Sequence, residues 1–215
     1  MLLRIRAGPG DHDFCMQDRR IAVFFHGLFV LTGVLFALAS SGAAQARSCH
    51  GIDFPEHLKV DGSDLSLNGL GVRKATFLKV NVYVAALYVV RPSSEPGALL
   101  DSKDPQELTL QFVRSVGAGD IRKGWSEGFE RSAGAQLGTL QGRIARLNGW
   151  MSDVQVGQRL TFIRHPGMGV QVSLNGTVMG GIEGDDFARA FVGIWLGATP
   201  PNAELKTGLL GGPCE

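Results

Sequence analysis

Cysteine and histidine, which bind many of the transition metals found in proteins, are scarce in this sequence. Its 215 residues include three cysteines and five histidines, and no two histidines after residue 46 have metal-ligand spacing within one predicted element. No G-x-S-x-G motif marks a serine nucleophile, and the glycine-rich segments lack the lysine of a phosphate-binding loop. These absences argue against a metal site, a serine hydrolase and a phosphate-binding loop.

Long apolar runs are also absent, apart from one near the N-terminus. The run Ile21–Ala39 follows two arginines and gives way to small residues that end in Ala44-Gln45-Ala46. A positive start, an apolar middle and an Ala-x-Ala end are the three parts of a secretory signal peptide. We therefore predict a signal peptide over residues 1–46, cleaved after Ala46, and a periplasmic or secreted domain over residues 47–215.

The sequence also allows two alternatives for residues 1–46, which we call the leader. Met16 offers a second start codon, which would make residues 1–15 an extension outside the natural protein. The weakly polar stretch 21–44 is also long enough to cross a hydrocarbon layer of ~30 Å, which takes about 20 residues. An uncleaved leader would anchor the domain in a membrane.

Excess charge of either sign is missing. The chain has 21 Lys and Arg against 20 Asp and Glu, and four of the bases and three of the acids fall in the leader. The predicted mature domain therefore has 17 of each and a net charge of zero. Nucleic acids and anionic membrane surfaces require clustered positive charge, so we expect neither as a partner of the domain.

Two cysteines remain in the predicted mature domain, Cys49 and Cys214, one near each end. In an oxidising compartment such a pair can form a disulfide, because the termini of a domain often lie close together. The alternative is two unpaired thiols on frayed tails.

The spacing of apolar residues predicts an α+β fold. Apolar residues that recur at every fourth position predict one helix with Asp120 as its N-cap and a second helix after Gly134. The same spacing predicts a third helix, in which Trp195 fills the core, and a short helix follows Pro200-Pro201. Strands, two helices, an antiparallel meander and two helices follow in that order, which predicts helices packed on an antiparallel sheet. Alternation of apolar residues predicts strands in Ser66–Val90, Glu107–Arg114, Arg159–Arg164, Val170–Leu174 and Thr177–Ile182. Gly69 and Gly71 predict a break within the first of these segments. Asn175-Gly176 predicts a type I′ turn that joins the last two strands.

Two separate segments resemble the chalcone isomerase-like family. LNGLGVRKATFLKVNVYVAALYV, residues 67–89, is similar to the paired-strand signature of that family. NGTVMGGIEGDDFARAFVGIWLG, followed by a proline turn and ELKTGLLG, is similar to its hairpin and closing helices. The resemblance runs from about Leu58 to Gly212. It implies an open-faced β-sandwich in which helices cover one side of a large antiparallel sheet and shelter an apolar cleft.

The resemblance also implies ligand-binding residues. Arg73 stands where the family has an arginine beside the ligand, and a guanidinium in an apolar cleft pairs with a carboxylate or phenolate. Tyr83 aligns with a tyrosine of the fatty-acid binders, where true isomerases have a threonine. Asn81 lies on the same predicted strand face and could add a hydrogen bond. The alternative is an arginine and a tyrosine whose polar groups simply meet water.

We therefore expect an exported protein that binds a small amphipathic acid, such as a fatty acid, without catalysing a reaction. Plant isomerases follow the phenylalanine of the next strand with a tyrosine that positions a catalytic water, whereas Val113 follows Phe112 here. An intramolecular lyase or isomerase that uses Arg73 as its cation is the first alternative.

The second alternative is a haem-binding module, because some fungal relatives are haem proteins and one axial histidine can suffice. The candidate ligands are His50, His57 and His165. No other cofactor and no metal is expected.

Overall fold

The computed structural model describes residues 45–75, 78 and 80–215. The alternative start at Met16, the alternative membrane anchor and the predicted signal peptide lie outside these residues, apart from Gln45 and Ala46 at the end of that peptide. No helix in the described part of the chain is long and apolar enough to cross a membrane.

In the described residues, the first two strands form a separate hairpin, and the next seven form one antiparallel sheet in which strands that follow one another in the chain are neighbours. The strands within the described ranges are β1 (Ala46–Cys49), β2 (Ile52–Pro55), β3 (His57–Val60), β4 (Ser63–Ala75), β5 (Val80–Val89), β6 (Gln106–Phe112), β7 (Arg159–His165), β8 (Gly169–Leu174) and β9 (Thr177–Glu183).

Five α-helices lie between or after these strands in the portion described: α1 (Pro96–Leu100), α2 (Ala118–Ser132), α3 (Leu137–Gly149), α4 (Asp185–Leu196) and α5 (Ala203–Leu209). The predicted α+β class, with helices on an antiparallel sheet, is confirmed. The turn between β8 and β9 has positive φ at both Asn175 (50°) and Gly176 (80°), as a type I′ turn requires.

Alternate residues of β5 pack into two different cores, because successive side chains of a strand point to opposite faces. The helix-side core contains Ala85 and Leu87 together with the aromatic residues of α2 and α4. The hairpin-side core contains Val84 and Tyr88 together with Phe54 of β2. The central strand is therefore buried on both faces.

The disulfide between Cys49 and Cys214 is present, with Cα atoms 6.0 Å apart. It joins the end of β1 to the segment that follows α5. Cys49 is also part of the hairpin-side core. Of the two alternatives for these cysteines, the structure shows the bridge.

The predicted glycine break does not divide the first strand segment, because β4 continues through Gly69 and Gly71, but its ladder with β5 has a β-bulge at Asn68, directly before Gly69. A Cβ atom at Gly69 would overlap the carbonyl oxygen of Gly208, and one at Gly71 would overlap that of Leu205. The two glycines therefore let the backbone of α5 lie directly on β4.

The predicted N-cap of α2 was also wrong. The helix begins at Ala118, so Asp120 lies in its first turn. Asp153, from the segment after α3, accepts a hydrogen bond from the backbone N–H of Ala118 at 2.8 Å. A residue distant in sequence thus accepts a hydrogen bond from a backbone N–H that has no partner within the helix. The local sequence pattern could not indicate this contact.

Candidate functional site

A cavity of about 500 Å³ lies between the sheet and helices α2 and α4. We call it the helix-side cavity. Its apolar wall includes Val82 of β5, Phe112 of β6, Ile121 of α2 and Ile194 of α4. Such a volume is within the range of small-molecule sites, which is roughly 300–1,000 Å³.

Arg73 and Tyr83 both line the helix-side cavity. They are directly opposed in the β4–β5 ladder. Opposed residues of an antiparallel pair extend their side chains from the same face and can interact. The structure therefore brings together the two residues that the resemblance singled out.

The hydroxyl of Tyr83 is held in place inside the protein. Trp195 of α4 donates a hydrogen bond from Nε1 to Tyr83 Oη at 3.0 Å. The tyrosine ring packs edge to face on Phe112, with centroids 5.7 Å apart. A phenol that accepts one hydrogen bond still has its own proton to donate, so Tyr83 can serve as a donor to a ligand.

Burial keeps this phenol neutral. Desolvation raises the pKa of Tyr83, while the hydrogen bond from Trp195 and the positive charge of Arg73 oppose the rise without cancelling it. A neutral phenol donates a hydrogen bond to an anion, whereas a phenolate would repel it. The electrostatics of this tyrosine therefore suit an anionic ligand group.

Arg73 is partly buried and has no carboxylate partner among the ion pairs of the described residues. Its Nη1 donates to the carbonyl oxygen of Lys74, and also to Oδ1 of Asn202 at 3.0 Å. Both acceptors are neutral, so the positive charge is not compensated by a neighbour. A guanidinium beside an apolar cavity favours an anionic partner.

The remaining charged residues of the cavity add to this preference. Arg114, Lys123 and Arg131 line it, against Asp120 and Glu127. Lys123 is 3.9 Å from Glu127, an exposed pair of small energetic weight. Cations therefore outnumber carboxylates around the cavity even before Arg73 is counted.

Asn81 does not share the face of Tyr83, so this part of the prediction was wrong. The ladder pairs Tyr83 with Arg73 and Asn81 with Lys74, which leaves Val82 as an extra residue on β5. This β-bulge changes which face each following residue occupies. Val82 and Tyr83 both line the helix-side cavity, whereas Asn81 lines a different one.

That second cavity, of about 460 Å³, has Val84 in its wall, a residue of the hairpin-side core, and we call it the hairpin-side cavity. It is lined by His50, with which Asn81 is hydrogen-bonded at 3.3 Å, and by Val113. Val113 is therefore not in the wall of the helix-side cavity. The absence of a hydroxyl at this position says nothing about chemistry in the helix-side cavity.

The histidines considered as haem ligands lie away from the helix-side cavity. His57 is hydrogen-bonded to Ser66 at 3.3 Å, and Nδ1 of His165 lies 2.6 Å from a carboxylate oxygen of Asp61. None of the three histidines in the described residues lines this cavity. The described part of the chain therefore offers no histidine as an axial haem ligand in the helix-side cavity, and His50 lines the hairpin-side cavity instead.

Sequence reasoning missed two residues that hold the pair in place. Trp195 was predicted only to fill the core, and its buried position is confirmed. Its hydrogen bond to Tyr83 spans 112 residues, and that of Asn202 to Arg73 spans 129. No local pattern could indicate contacts between residues so far apart in the sequence.

The tyrosines give a prediction for alkaline pH. Burial raises the pKa of Tyr83, and burial together with the charge of Glu107 raises that of Tyr88, the only other tyrosine of the chain. Above the unfolded value of about 10, the native protein retains protons that the unfolded chain has lost, so its stability falls as pH rises.

We therefore expect no tyrosinate absorbance from the folded protein as pH passes about 10, followed by a cooperative alkaline transition in which both tyrosines ionise. Ultraviolet titration measures this, with the urea-unfolded protein as control. A tyrosine that ionises at its ordinary pKa while circular dichroism stays native would contradict the prediction.

A sheet covered by helices on one face, with an apolar cavity that holds a cross-strand arginine–tyrosine pair, defines an open-faced β-sandwich with a ligand-sized cleft. The family model described as chalcone isomerase-like matches residues 46–211. The chain therefore belongs to the chalcone isomerase-like family.

Comparison with solved structures agrees on the fold. The crystal structure of a fatty-acid binding protein from Arabidopsis thaliana matches with a TM-score of 0.65 and 15% sequence identity. The match covers 77% of this chain and 96% of that one. At this identity the likeness shows the fold alone. Comparison with curated proteins found no match.

Proposed function

We propose that this domain binds a small amphipathic carboxylic acid, such as a fatty acid, in the helix-side cavity and does not transform it. The carboxylate lies between Arg73 and Tyr83, and the alkyl chain packs on the apolar wall. The observation that carries the proposal is the cross-strand pair itself, an uncompensated guanidinium opposite a buried phenol that still has a proton to donate.

The energetics favour an acid over a neutral ligand. A carboxylate that receives charge-assisted hydrogen bonds from Arg73 compensates a positive charge that the described residues leave unpaired. Val82, Phe112 and Ile194 contribute apolar surface, which favours a hydrocarbon chain over a wholly polar anion. The combination selects an amphipathic acid.

Binding without turnover is supported by the state of the polar groups. Tyr83 is neutral and already accepts a hydrogen bond from Trp195, so it is poorly suited to act as a base. The structural neighbour is described as a fatty-acid binding protein, which supports a fatty acid as the kind of ligand proposed here.

Export from the cytoplasm is supported by the Cys49–Cys214 disulfide, because such bonds persist mainly in oxidising compartments. We therefore propose that the protein acts in the periplasm or outside the cell. Its ligand would be an acid available there.

The test compares the affinities of dodecanoic acid and dodecanol, a pair that differs only in the head group. We expect Arg73→Met to weaken binding of the acid by about 10- to 100-fold, because hydrogen bonds to charged groups contribute roughly 1.5–3 kcal/mol. Binding of the alcohol should change much less. Displacement of a fluorescent fatty acid measures both affinities.

The matched control is Arg146→Met, which removes an exposed arginine of α3 that does not line the cavity. Mass spectrometry of small molecules extracted from the purified protein should also detect carboxylic acids, which Arg73→Met loses. A cavity that is empty in every preparation and binds no added acid would refute the proposal. Chalcone turnover by the wild-type protein would favour the isomerase alternative, and a Soret band would favour haem.

A further inference from the structure

Asn202 holds Arg73 from outside the sheet. It is the residue before α5, and it follows Pro201, which lines the helix-side cavity. Its Oδ1 accepts a hydrogen bond from Arg73 Nη1 at 3.0 Å and another from the backbone N–H of Lys74, also at 3.0 Å. One side-chain oxygen therefore fixes the guanidinium to the backbone of its own strand.

These contacts determine which edge of the guanidinium is left for a ligand. Nη1 has two hydrogens, and its two acceptors are Asn202 Oδ1 and the carbonyl oxygen of Lys74. Nε and Nη2 donate no hydrogen bond to any described residue. Together they form the side-on edge of arginine, whose two parallel N–H groups match the two oxygens of a carboxylate.

Asn202 is itself rigidly placed. Lys206, one turn into α5, donates from Nζ to the carbonyl oxygen of Gly197 at 2.8 Å, which closes the loop between α4 and α5. The contact of Gly208 with β4 fixes the other end of this helix. The oxygen that orients Arg73 is thus carried by a segment packed on the same strand.

We propose that Asn202 is a positioning residue that turns the Nε–Nη2 edge of Arg73 to the cavity and so makes the site selective for carboxylates over uncharged lipids. This inference rests on the proposed function and adds the source of its head-group selectivity. Asn202 acts through Arg73 and need not touch the ligand.

The simpler explanation is that Asn202 only satisfies the backbone N–H of Lys74. The variant Asn202→Ala distinguishes the two, because loss of the Lys74 contact alone would weaken binding of acid and alcohol alike and leave their affinity ratio unchanged. The variant Asn202→Asp tests the link to Arg73 with the backbone contact kept, because its carboxylate still accepts the hydrogen bond from Lys74. The same carboxylate gives Arg73 an anionic partner inside the protein, which then competes with the ligand. The fold is preserved while the availability of the guanidinium changes.

For Asn202→Asp we expect the affinity for dodecanoic acid to fall by about tenfold or more, because the guanidinium now has an internal salt-bridge partner. The affinity for dodecanol should stay close to that of the wild-type protein, and the melting temperature should not fall. The matched control is Gln141→Glu, which adds the same charge at an exposed position of α3 outside the cavity. Asn202→Ala should lower the acid-to-alcohol affinity ratio through loss of orientation.

Two results would overturn the inference in distinguishable ways. An unchanged acid-to-alcohol ratio in Asn202→Ala, with a wild-type protein that binds the acid through Arg73, would leave the proposed function intact and refute the role of Asn202, and so would an unchanged ratio in Asn202→Asp. A wild-type protein that binds the acid no better than the alcohol would refute both.

Discussion

Replacing Cys214 by serine is expected to lower the free energy of unfolding by about 2–5 kcal/mol, which is the usual effect of removing a native disulfide. The bridge joins residues 165 positions apart, so it restricts the unfolded chain over nearly the whole domain. The variant also leaves the thiol of Cys49 in the hairpin-side core without its covalent partner.

Urea denaturation of the oxidised wild-type protein and of Cys214→Ser measures this difference. A reducing agent should shift the midpoint of the wild-type protein toward that of the variant and leave the variant itself unchanged. If the oxidised and reduced wild-type proteins unfold at the same urea concentration, the bridge contributes nothing and the prediction fails.

Adding one methyl group at Gly69 is the second large perturbation. Its Cβ would overlap backbone atoms of α5, which cannot move aside as the end of a side chain can. We expect Gly69→Ala to lower the free energy of unfolding by about 1–3 kcal/mol or more, as overpacking of a close contact does. Because α5 follows Asn202 directly, acid binding should weaken as well.

The matched control is Gly142→Ala, at an exposed position inside α3 where an added Cβ meets no atom within 4 Å. This change should stabilise the protein by about 0.5–1 kcal/mol, because alanine is the better helix former. Thermal and urea unfolding of both variants give the comparison. Equal stability of Gly69→Ala and the wild-type protein would show that α5 is not seated on β4 as described.

Much of the fold could be predicted because its periodic segments are long and distinct. The fourth-position stripe that ends at Trp195 indicated α4, and Asn175-Gly176 indicated the last hairpin. The three strands before β4 were not predicted, because each has only four residues and shows too short an alternation. Their stability depends on partners elsewhere in the chain.

The residues of the candidate site likewise include some that could be predicted from the sequence and some that could not. Arg73 and Tyr83 are paired by the register of two strands that are adjacent in the chain. Both lie in the segment that resembles the family, so the resemblance could indicate them together. Asn81 was placed on the wrong face because strict alternation contains no bulge. Asn202 was missed because its contact arises only when α5 packs on β4, and no spacing in the sequence encodes that contact.

The bulge at Val82 also matters for anyone who redesigns this protein. Because of the bulge, Val82 and Tyr83 of β5 both line the helix-side cavity, whereas the preceding residue, Asn81, lines the hairpin-side cavity. A larger side chain at Val82 would reduce the space for an alkyl chain in the helix-side cavity, whereas a substitution at Asn81 would change the lining of the hairpin-side cavity. Deleting Val82 would remove the bulge but leave Tyr83 opposite Arg73 and Asn81 opposite Lys74, so the two side chains would keep their separate faces while the helix-side cavity lost one apolar wall residue.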